Sequence, residues 1–212
     1  MIRIALFDLD DTLYPRGSGI MDEIRSLILT FILTRLNLTP EEADELRQRY
    51  LDQYGTTMRG LQLNYQIDPE DYLACVHDIP LQEFLEPNPR LDAVLDSITL
   101  EKVVFTNASR EHAERVLGIL GIGHHFTRIV DVRDLHFESK PQPAAYRQVC
   151  DIVGVPPDEC LLVEDNVRNL APAKALGMAT VLVGDGQDHS DHAVDYAITR
   201  IEQIGQVPAL QT

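Results

Sequence analysis

Short apolar runs and amphipathic stretches alternate along most of the chain. The runs lack the apolar–polar alternation of half-exposed strands, which is typical of strands buried on both faces, and lie at 4–7, 103–105, 161–163 and 180–183. Between the last three runs, apolar residues recur at helical spacing at 110–120, 143–153 and up to 176. A strand–helix–strand order predicts a parallel sheet with helices on its faces. The pattern therefore predicts an α/β fold.

Local signals predict the ends of these three helices. Ser109 is expected to cap the first helix, and Pro143 is expected to open the second. Asn169 is expected to cap the third helix, which would leave Pro172 in the first turn, where backbone N–H groups have no helical partner. The predicted stops are Gly121, Gly154 and Gly177.

The segment from about residue 16 to residue 87 breaks this rhythm. It contains no comparable strand run, and helical periodicity appears at 21–36, 40–54 and 68–77. The turn-forming residues of Glu86-Pro-Asn-Pro-Arg90 would lead the chain back to the sheet. We therefore expect a core built from residues 1–15 and 88–212, with a helical domain inserted at 16–87.

Composition narrows the classes of partner. The chain has 34 acidic and 18 basic residues and a net charge of −16, which disfavours nucleic acid polymers and anionic membranes. The most apolar helical stretch, 27–36, is too short to span a membrane, and the apolar run at 1–7 is too short for a secretion signal. The three cysteines form no CxxC pair. We expect a cytoplasmic protein without disulfides, as a monomer or weak homodimer.

Polar side chains follow three of the predicted strands, where ligand sites of open α/β sheets lie. They are Asp8 and Asp10, then Thr106 and Asn107, then Glu164 and Asp165. Carboxylates two residues apart in an extended segment project the same way, and crowded carboxylates repel unless a cation joins them. An all-oxygen cluster of this kind suits Mg²⁺. For Asp11, Thr12 and Asn166 a turn-forming or helix-capping role is favoured.

Four motifs occur in a fixed order along the chain: Asp8-Leu-Asp10-Asp-Thr12, Thr106-Asn107, Lys140-Pro141 and Glu164-Asp165. In this order they resemble the motifs of the haloacid dehalogenase-like (HAD) hydrolases. The resemblance implies a Rossmann-like, doubly wound parallel sheet with an α-helical cap inserted after the first strand. The strings Tyr54-Gly-Thr-Thr-Met-Arg-Gly60 and Val76-His-Asp78, and the stretch from 105 to 117, are most similar to the pyrimidine 5′-nucleotidase branch.

The resemblance also implies roles for individual residues. Asp8 would be the nucleophile that accepts the phosphoryl group, and Asp10 would act as general acid and then general base. Mg²⁺ would be held by the carboxylates of Asp8 and Asp165 and the backbone carbonyl of Asp10. Glu164 would support this site without binding the metal. The phosphoryl oxygens would be held by Thr106, Asn107 and Lys140.

The inserted helices are the expected source of substrate specificity. Arg59 is the best candidate for a second contact to the substrate, although a surface arginine on a short helix is as good an interpretation. His124 and His125 follow two glycines in a predicted loop and are expected to have no function.

These features predict a Mg²⁺-dependent phosphomonoester hydrolase that acts on a small phosphorylated metabolite, with a pyrimidine nucleoside 5′-monophosphate as the expected substrate. A sugar-phosphate phosphatase and a phosphomutase of the same superfamily stay open as alternatives. A receiver-like signalling domain also gathers acids, Thr and Lys around Mg²⁺, but Asp10 would hydrolyse the acyl phosphate that such a switch must keep. A non-catalytic binding protein is disfavoured because each group that the chemistry needs is present.

Overall fold

The structure is a computed structural model that describes residues 1–184 and 192–211. Its strands are β1 (Ile4–Phe7), β2 (Glu101–Phe105), β3 (Arg128–Val130), β4 (Cys160–Glu164), β5 (Ala179–Val183) and β6 (Tyr196–Ile198). Its α-helices are α1 (Ile20–Leu36), α2 (Pro40–Tyr54), α3 (Thr57–Tyr65), α4 (Pro69–Val76), α5 (Pro89–Ser97), α6 (Arg110–Leu120), α7 (Pro143–Val153) and α8 (Val167–Ala175). The prediction of an α/β fold is confirmed.

The described strands form one parallel sheet in the order β3-β2-β1-β4-β5-β6. β1 lies in the middle and pairs with β2 on one side and β4 on the other, so that Phe7 is in register with Val104 and with Val163. From β1, the chain adds β2 and β3 on one side of the sheet and then β4, β5 and β6 on the other. Open α/β sheets bind ligands at the point where the strand order changes side in this way. The residues that follow β1, β2 and β4 meet at this edge.

Side chains of the central strands alternate between two apolar layers. Phe7, Val104 and Val163 face a layer that includes α5 and α6, whereas Leu6, Val103 and Leu162 face the layer with α7 and α8. Both layers are buried, which explains why the central strands appear as continuous apolar runs in the sequence.

The helices α1 to α4, called the helical insert below, lie between β1 and β2 in the chain. They have an apolar core of their own, which includes Phe31, Leu46, Tyr50, Leu61 and Leu73. The helices predicted at 21–36, 40–54 and 68–77 correspond to α1, α2 and α4. The helix α3, which contains Arg59, was considered only as a short helix and gave no periodic signal, because it has nine residues and includes Gly60, a poor helix former.

Three further elements, α5, β3 and β6, were not predicted. α5 begins at Pro89, inside the stretch interpreted as a linker, and Asn88 caps it by accepting from the Leu91 N–H. β3 and β6 have three residues each and lie at the sheet edges, where no periodicity is visible.

The predicted helix caps hold with one exception. Ser109 caps α6 by accepting a hydrogen bond from the His112 backbone N–H, as expected. The prediction that Asn169 caps the third helix is wrong, because α8 starts at Val167 and its cap is Asn166. Pro172 therefore lies inside α8, which ends three residues later.

Candidate active site

The chain makes a tight turn directly after β1. The Asp8 backbone N–H continues the strand pairing by donating to the Val163 carbonyl at 2.9 Å. The Leu9 carbonyl then accepts from the N–H groups of Thr12 and Leu13, and Asp11 adopts a left-handed conformation with φ 60°. The turn therefore begins at Asp10, two residues after Asp8. Asp8 and Asp10 lie at the same edge of the sheet and line one cavity, as expected.

Asp8 is held from both of its carboxylate oxygens. The Lys140 ammonium donates to Asp8 Oδ1 at 2.6 Å and to Glu164 Oε2 at 2.8 Å, and only 1% of Lys140 is exposed. The Thr12 hydroxyl donates to Asp8 Oδ2 at 3.0 Å. Thr12 therefore belongs to the site, and the expectation that it only shapes the turn is wrong. Its spacing of four residues from Asp8 is the signal in the sequence.

The second motif fixes the Lys140 backbone. The Asn107 side-chain carbonyl accepts from the Lys140 N–H at 2.9 Å, and the Asn107 amide donates to the Lys140 carbonyl at 3.0 Å. Thr106 is buried at the end of β2, and its hydroxyl accepts from the Ala108 N–H at 3.0 Å. Both residues line the same cavity as Asp8. The Asn107 amide therefore fixes the position of the Lys140 backbone through these two hydrogen bonds.

Asp10 has partners from two other elements. Tyr14 donates its hydroxyl to Asp10 Oδ1 at 2.6 Å, and His112 Nε2 lies 2.9 Å from the same oxygen. His112 is 1% exposed and stacks on His77, with ring centroids 4.4 Å apart. His77 in turn contacts the Ser109 hydroxyl through Nδ1 at 3.0 Å. Sequence reasoning missed His112 and Tyr14, and the position of His112 in the first turn of α6, after β2, is the signal that places it near this edge.

These contacts divide the carboxyl groups into two kinds. Burial, together with the neighbouring Glu164 carboxylate, raises the pKa of Asp8 to about 7, in spite of the opposing effect of Lys140. Burial likewise raises the pKa of Glu164 to about 7. Burial also acts to raise the pKa of Asp10, but its contacts with His112 and Tyr14 win and hold it at about 2. Asp10 is therefore ionised at neutral pH, whereas burial disfavours the charged forms of Asp8 and Glu164 and Lys140 opposes that effect.

The donor set fits a hard divalent cation. Carboxylate oxygens of Asp8, Glu164 and Asp165 lie within 4.8 Å of one another. Glu164 accepts from Lys140 and from the Asn166 N–H, and Asp8 accepts from Lys140 and from the Thr12 hydroxyl. Hydrogen bonding therefore does not rank these carboxylates as metal ligands. Arg16 donates to Asp165 Oδ2 at 2.6 Å and was not predicted. The buried acids at this edge thus attract positive charge, as a Mg²⁺ site must.

A cavity of about 480 Å³ opens between these residues and the helical insert. Its insert side is largely apolar and includes Ile24, Ile28, Leu51, Met58 and Leu73. The residues predicted for the site that line the cavity are Asp8, Asp10, Thr106, Asn107, Lys140, Glu164 and Asp165.

Arg59 lies elsewhere in the described part of the chain. Its guanidinium donates to Glu138 at 2.7 Å and to Gln62 at 2.8 Å, and it does not contribute to the described lining of the cavity. The structure therefore gives no support to a substrate contact by Arg59. The salt bridge instead joins α3 to the segment before Lys140.

Gly55 of the helical insert packs directly against the backbone of Lys140. Gly55 ends α2 with φ 89°, and a Cβ added to it would lie 2.6 Å from the Lys140 carbonyl oxygen and 2.9 Å from Pro141. No residue with a side chain fits at this contact without a shift of backbone. Gly55 itself lines the cavity.

A comparison with protein families matches residues 2–177 to a model described as haloacid dehalogenase-like hydrolase. This chain belongs to the HAD-like hydrolases. The HAD-like hydrolase also shares its fold with solved structures under 25% identical to it. The L-2-haloacid dehalogenase of Xanthobacter autotrophicus matches with a TM-score of 0.64 and 16% identity, over 97% of this chain and 98% of that one. A HAD phosphatase from Thermococcus onnurineus matches with a TM-score of 0.63 and 19% identity, over 97% of each chain.

Two curated relatives cover most of this hydrolase. "Phosphate metabolism protein 8" of Saccharomyces cerevisiae is 28% identical over 91% of this chain, which spans only 65% of the yeast protein. The glyceraldehyde 3-phosphate phosphatase of Methanopyrus kandleri is 28% identical over 96% of both chains. Within the described residues, no helix is long and apolar enough to cross a membrane.

Proposed function

We propose that this hydrolase is a Mg²⁺-dependent phosphomonoesterase that forms an aspartyl-phosphate on Asp8. The observation that carries the proposal is a second carboxylate two residues later, Asp10, held by Tyr14 and His112 at 2.6 and 2.9 Å. A halide leaves without a proton, whereas an alkoxide needs one. The second carboxylate therefore favours ester cleavage over dehalogenation. The name of the Methanopyrus kandleri relative supports the same reaction class.

The reaction proceeds in two displacements. In the first, an Asp8 carboxylate oxygen attacks phosphorus, the bond from phosphorus to the leaving oxygen breaks, and Asp10 gives that oxygen a proton. In the second, Asp10 takes a proton from a water molecule whose oxygen attacks phosphorus. The bond from Asp8 to phosphorus then breaks, inorganic phosphate is released and Asp8 is restored.

Asp10 must hold a proton before the first displacement, although its pKa is about 2 in the present state. A phosphate dianion bound beside it disfavours the ionised carboxylate and raises this pKa. Substrate binding thus supplies the condition for proton donation, and loss of the leaving group returns Asp10 to the ionised form that acts as base.

Positive charge makes the first displacement feasible. An anionic nucleophile about 4 Å from an anionic phosphate is repelled by roughly 4 kcal/mol per charge pair at intermediate dielectric. Lys140 offsets the Asp8 charge from a distance of 2.6 Å. Mg²⁺ would be held by Asp8, Asp165 and the Asp10 backbone carbonyl, and it supplies further charge neutralisation for the phosphoryl oxygens. Thr106, at the cavity wall, is the hydroxyl donor for those oxygens.

The helical insert acts as a cap over this site in the proposed mechanism. Its apolar residues line the cavity opposite the carboxylates, and water excluded by them cannot compete for the acyl phosphate or weaken the local electrostatics. We assign residues 16–87 to this cap and the remainder to the catalytic core.

A pyrimidine nucleoside 5′-monophosphate is the proposed substrate, on the strength of the sequence resemblance and of a cavity large enough for a small ligand. A short phosphorylated acid or aldehyde is the second candidate. Arg25 and Arg47 line the insert side of the cavity and share one carboxylate, Asp44, at 3.1 and 2.8 Å. Asp22 also lines this side of the cavity, so the insert presents charged groups of both signs there, which suits a substrate with a second polar group.

Initial rates on a panel of phosphomonoesters test both the reaction and the substrate. The panel contains CMP, UMP, dTMP, AMP, glyceraldehyde 3-phosphate, phosphoglycolate and p-nitrophenyl phosphate, each with Mg²⁺ and with excess EDTA. We expect release of inorganic phosphate that requires Mg²⁺ and is fastest with the pyrimidine nucleotides. Activity that persists in EDTA would contradict the mechanism. A preference for phosphoglycolate or glyceraldehyde 3-phosphate would replace the substrate and leave the mechanism intact.

The contact from His112 to Asp10 predicts a dependence on the leaving group. His112→Phe keeps a ring to stack on His77 but removes the nitrogen 2.9 Å from Asp10. We expect kcat/KM to fall roughly 10- to 100-fold for an alkyl monoester, because the carboxylate that donates the proton is no longer held in place. For p-nitrophenyl phosphate, whose leaving group needs no proton, the loss should be only a few-fold. Equal losses on both substrates, at an unchanged Tm, would rule out this role.

A further inference from the structure

A second group of metal-ligating side chains lies apart from the carboxylates of the active site. Asp92, His124 and His125 place one ligand atom each within 4.8 Å of the other two. Asp92 belongs to α5, and the two histidines belong to a 3₁₀ turn at Gly123–His125 that precedes β3. No local motif joins these residues, because Asp92 and His125 are 33 positions apart in the chain.

The ligand atoms of the three residues are close to the spacing of a transition-metal site, and His125 is hydrogen-bonded to Asp92 directly. His125 Nε2 lies 2.8 Å and His124 Nε2 lies 3.3 Å from the same oxygen, Asp92 Oδ1. Bonds of about 2.1 Å to a tetrahedral zinc ion separate neighbouring ligands by about 3.4 Å. The three atoms therefore need only small movements to surround one ion.

Both neighbouring elements hold these ligands in place without a metal. The His125 side chain is 7% exposed, and its backbone N–H donates to the Ile122 carbonyl at 3.1 Å. The Asp92 N–H donates to the Asn88 carbonyl at 3.0 Å in the first turn of α5. The side chains of Asp92 and His124 are more exposed, at 43% and 64%, and the ion would order them further. Ligands that are already positioned lose little conformational entropy on binding.

We propose that Asp92, His124 and His125 bind one Zn²⁺ or a similar divalent transition metal, with water in the remaining coordination position. Two imidazole nitrogens and one carboxylate favour zinc, cobalt, nickel or copper over Mg²⁺, which prefers oxygen ligands. The net charge of −16 attracts cations to the surface as a whole. A bound ion joins α5 to the turn before β3, close to the hydrogen bond from Asn88 N–H to the Leu120 carbonyl.

Calorimetric titration of the full chain with ZnCl₂, in saturating Mg²⁺, tests the site. Wild-type protein, His124→Asn and Asp92→Asn are compared, and any zinc bound at the active-site carboxylates is common to all three. We expect wild type to bind one more equivalent than the variants, or the variants to bind that equivalent at least tenfold more weakly. His136→Asn is the matched control, since His136 is an exposed histidine outside the cluster, and it should titrate like wild type.

Thermal unfolding provides an independent measurement. Zinc that binds only the folded state raises Tm, so the wild-type Tm should rise with added zinc by more than that of His124→Asn. The exposure of His124 makes this variant safe for folding. Equal stoichiometry, affinity and Tm shift in wild type and His124→Asn would overturn the proposal, whatever the outcome of the phosphatase assays.

Discussion

Replacement of Asp8 by Asn should reduce turnover at least roughly a thousandfold, because the amide cannot form the acyl phosphate on which both displacements depend. The change removes a nucleophile but keeps the shape of the side chain. The new amide oxygen can still accept from Lys140 and the amide nitrogen can donate to the Thr12 hydroxyl, the two groups that contact Asp8 at 2.6 and 3.0 Å. The loss should therefore appear in kcat, with the fold intact.

Asp11→Asn is the matched control for this variant. Asp11 lies in the same turn, has φ 60° and lines the same cavity, and Asn tolerates that left-handed conformation well. We expect a change of no more than a few-fold. Acid quenching during turnover, followed by mass spectrometry, should find phosphate on the peptide that contains residue 8 in wild type and not in Asp8→Asn. Substantial turnover by Asp8→Asn, once its deamidation has been excluded by mass, would refute the assignment of the nucleophile.

Replacement of Lys140 by Met should damage both activity and stability. The Lys140 ammonium is 1% exposed and lies 2.6 and 2.8 Å from two buried carboxylates. Without it, Asp8 and Glu164 are buried with no cation from this position, and loss of one member of a buried ion pair destabilises a protein by about 3–5 kcal/mol. Turnover should fall at least roughly a thousandfold, because the nucleophile then repels the phosphate.

The stability loss in Lys140→Met should depend on pH. The pKa values of Asp8 and Glu164 are already raised to about 7 by burial, and removal of Lys140 raises them further. An acid whose pKa is higher in the folded state than in the unfolded state binds more protons when folded. The free energy of unfolding therefore falls as the pH rises from the unfolded-state pKa to the folded-state pKa. Urea unfolding should therefore show a larger deficit at pH 8 than at pH 5.

Two further variants distinguish the pH-dependent loss of stability in Lys140→Met from the effect of removing any lysine. Lys174→Met removes a lysine that is 38% exposed and pairs with Asp195, and its cost should be no more than about 1 kcal/mol at either pH. The double variant Lys140→Met/Glu164→Gln should recover part of the stability, because one buried charge is removed. A deficit in Lys140→Met that is independent of pH would contradict the charge argument.

Sequence reasoning succeeded where the signal was local and strong. The buried central strands are continuous apolar runs, and the acids after β1 and β4 mark the carboxyl edge of the sheet, so that Asp8 and Glu164 were expected to meet. The structure brings both to Lys140. The short edge strands β3 and β6 were missed because three residues cannot show a period.

The missed parts of the site depend on local contacts of Thr12 with Asp8 and of Tyr14 with Asp10, four residues apart in each case, and on long-range contacts. His112 lies 102 residues from Asp10 in the chain, and the contact exists because β2 pairs with β1 and α6 begins at its end. Arg59 shows the converse. The sequence around Arg59 suggested a contact with substrate, but its guanidinium forms a salt bridge with Glu138, 79 residues away. Both outcomes were decided by strand order and by the placement of the helical insert.

The glycine at the end of α2 has a mechanical consequence. Gly55 rests against the carbonyl of Lys140, at a separation that leaves no room for a Cβ atom. The helical insert is thus seated on the backbone of the residue whose ammonium holds Asp8. A side chain at position 55 would clash with the Lys140 carbonyl, so that either the helical insert or the Lys140 backbone would have to move. In the proposed mechanism, this one contact therefore couples the position of the helical insert above the cavity to the position of Lys140 beside Asp8.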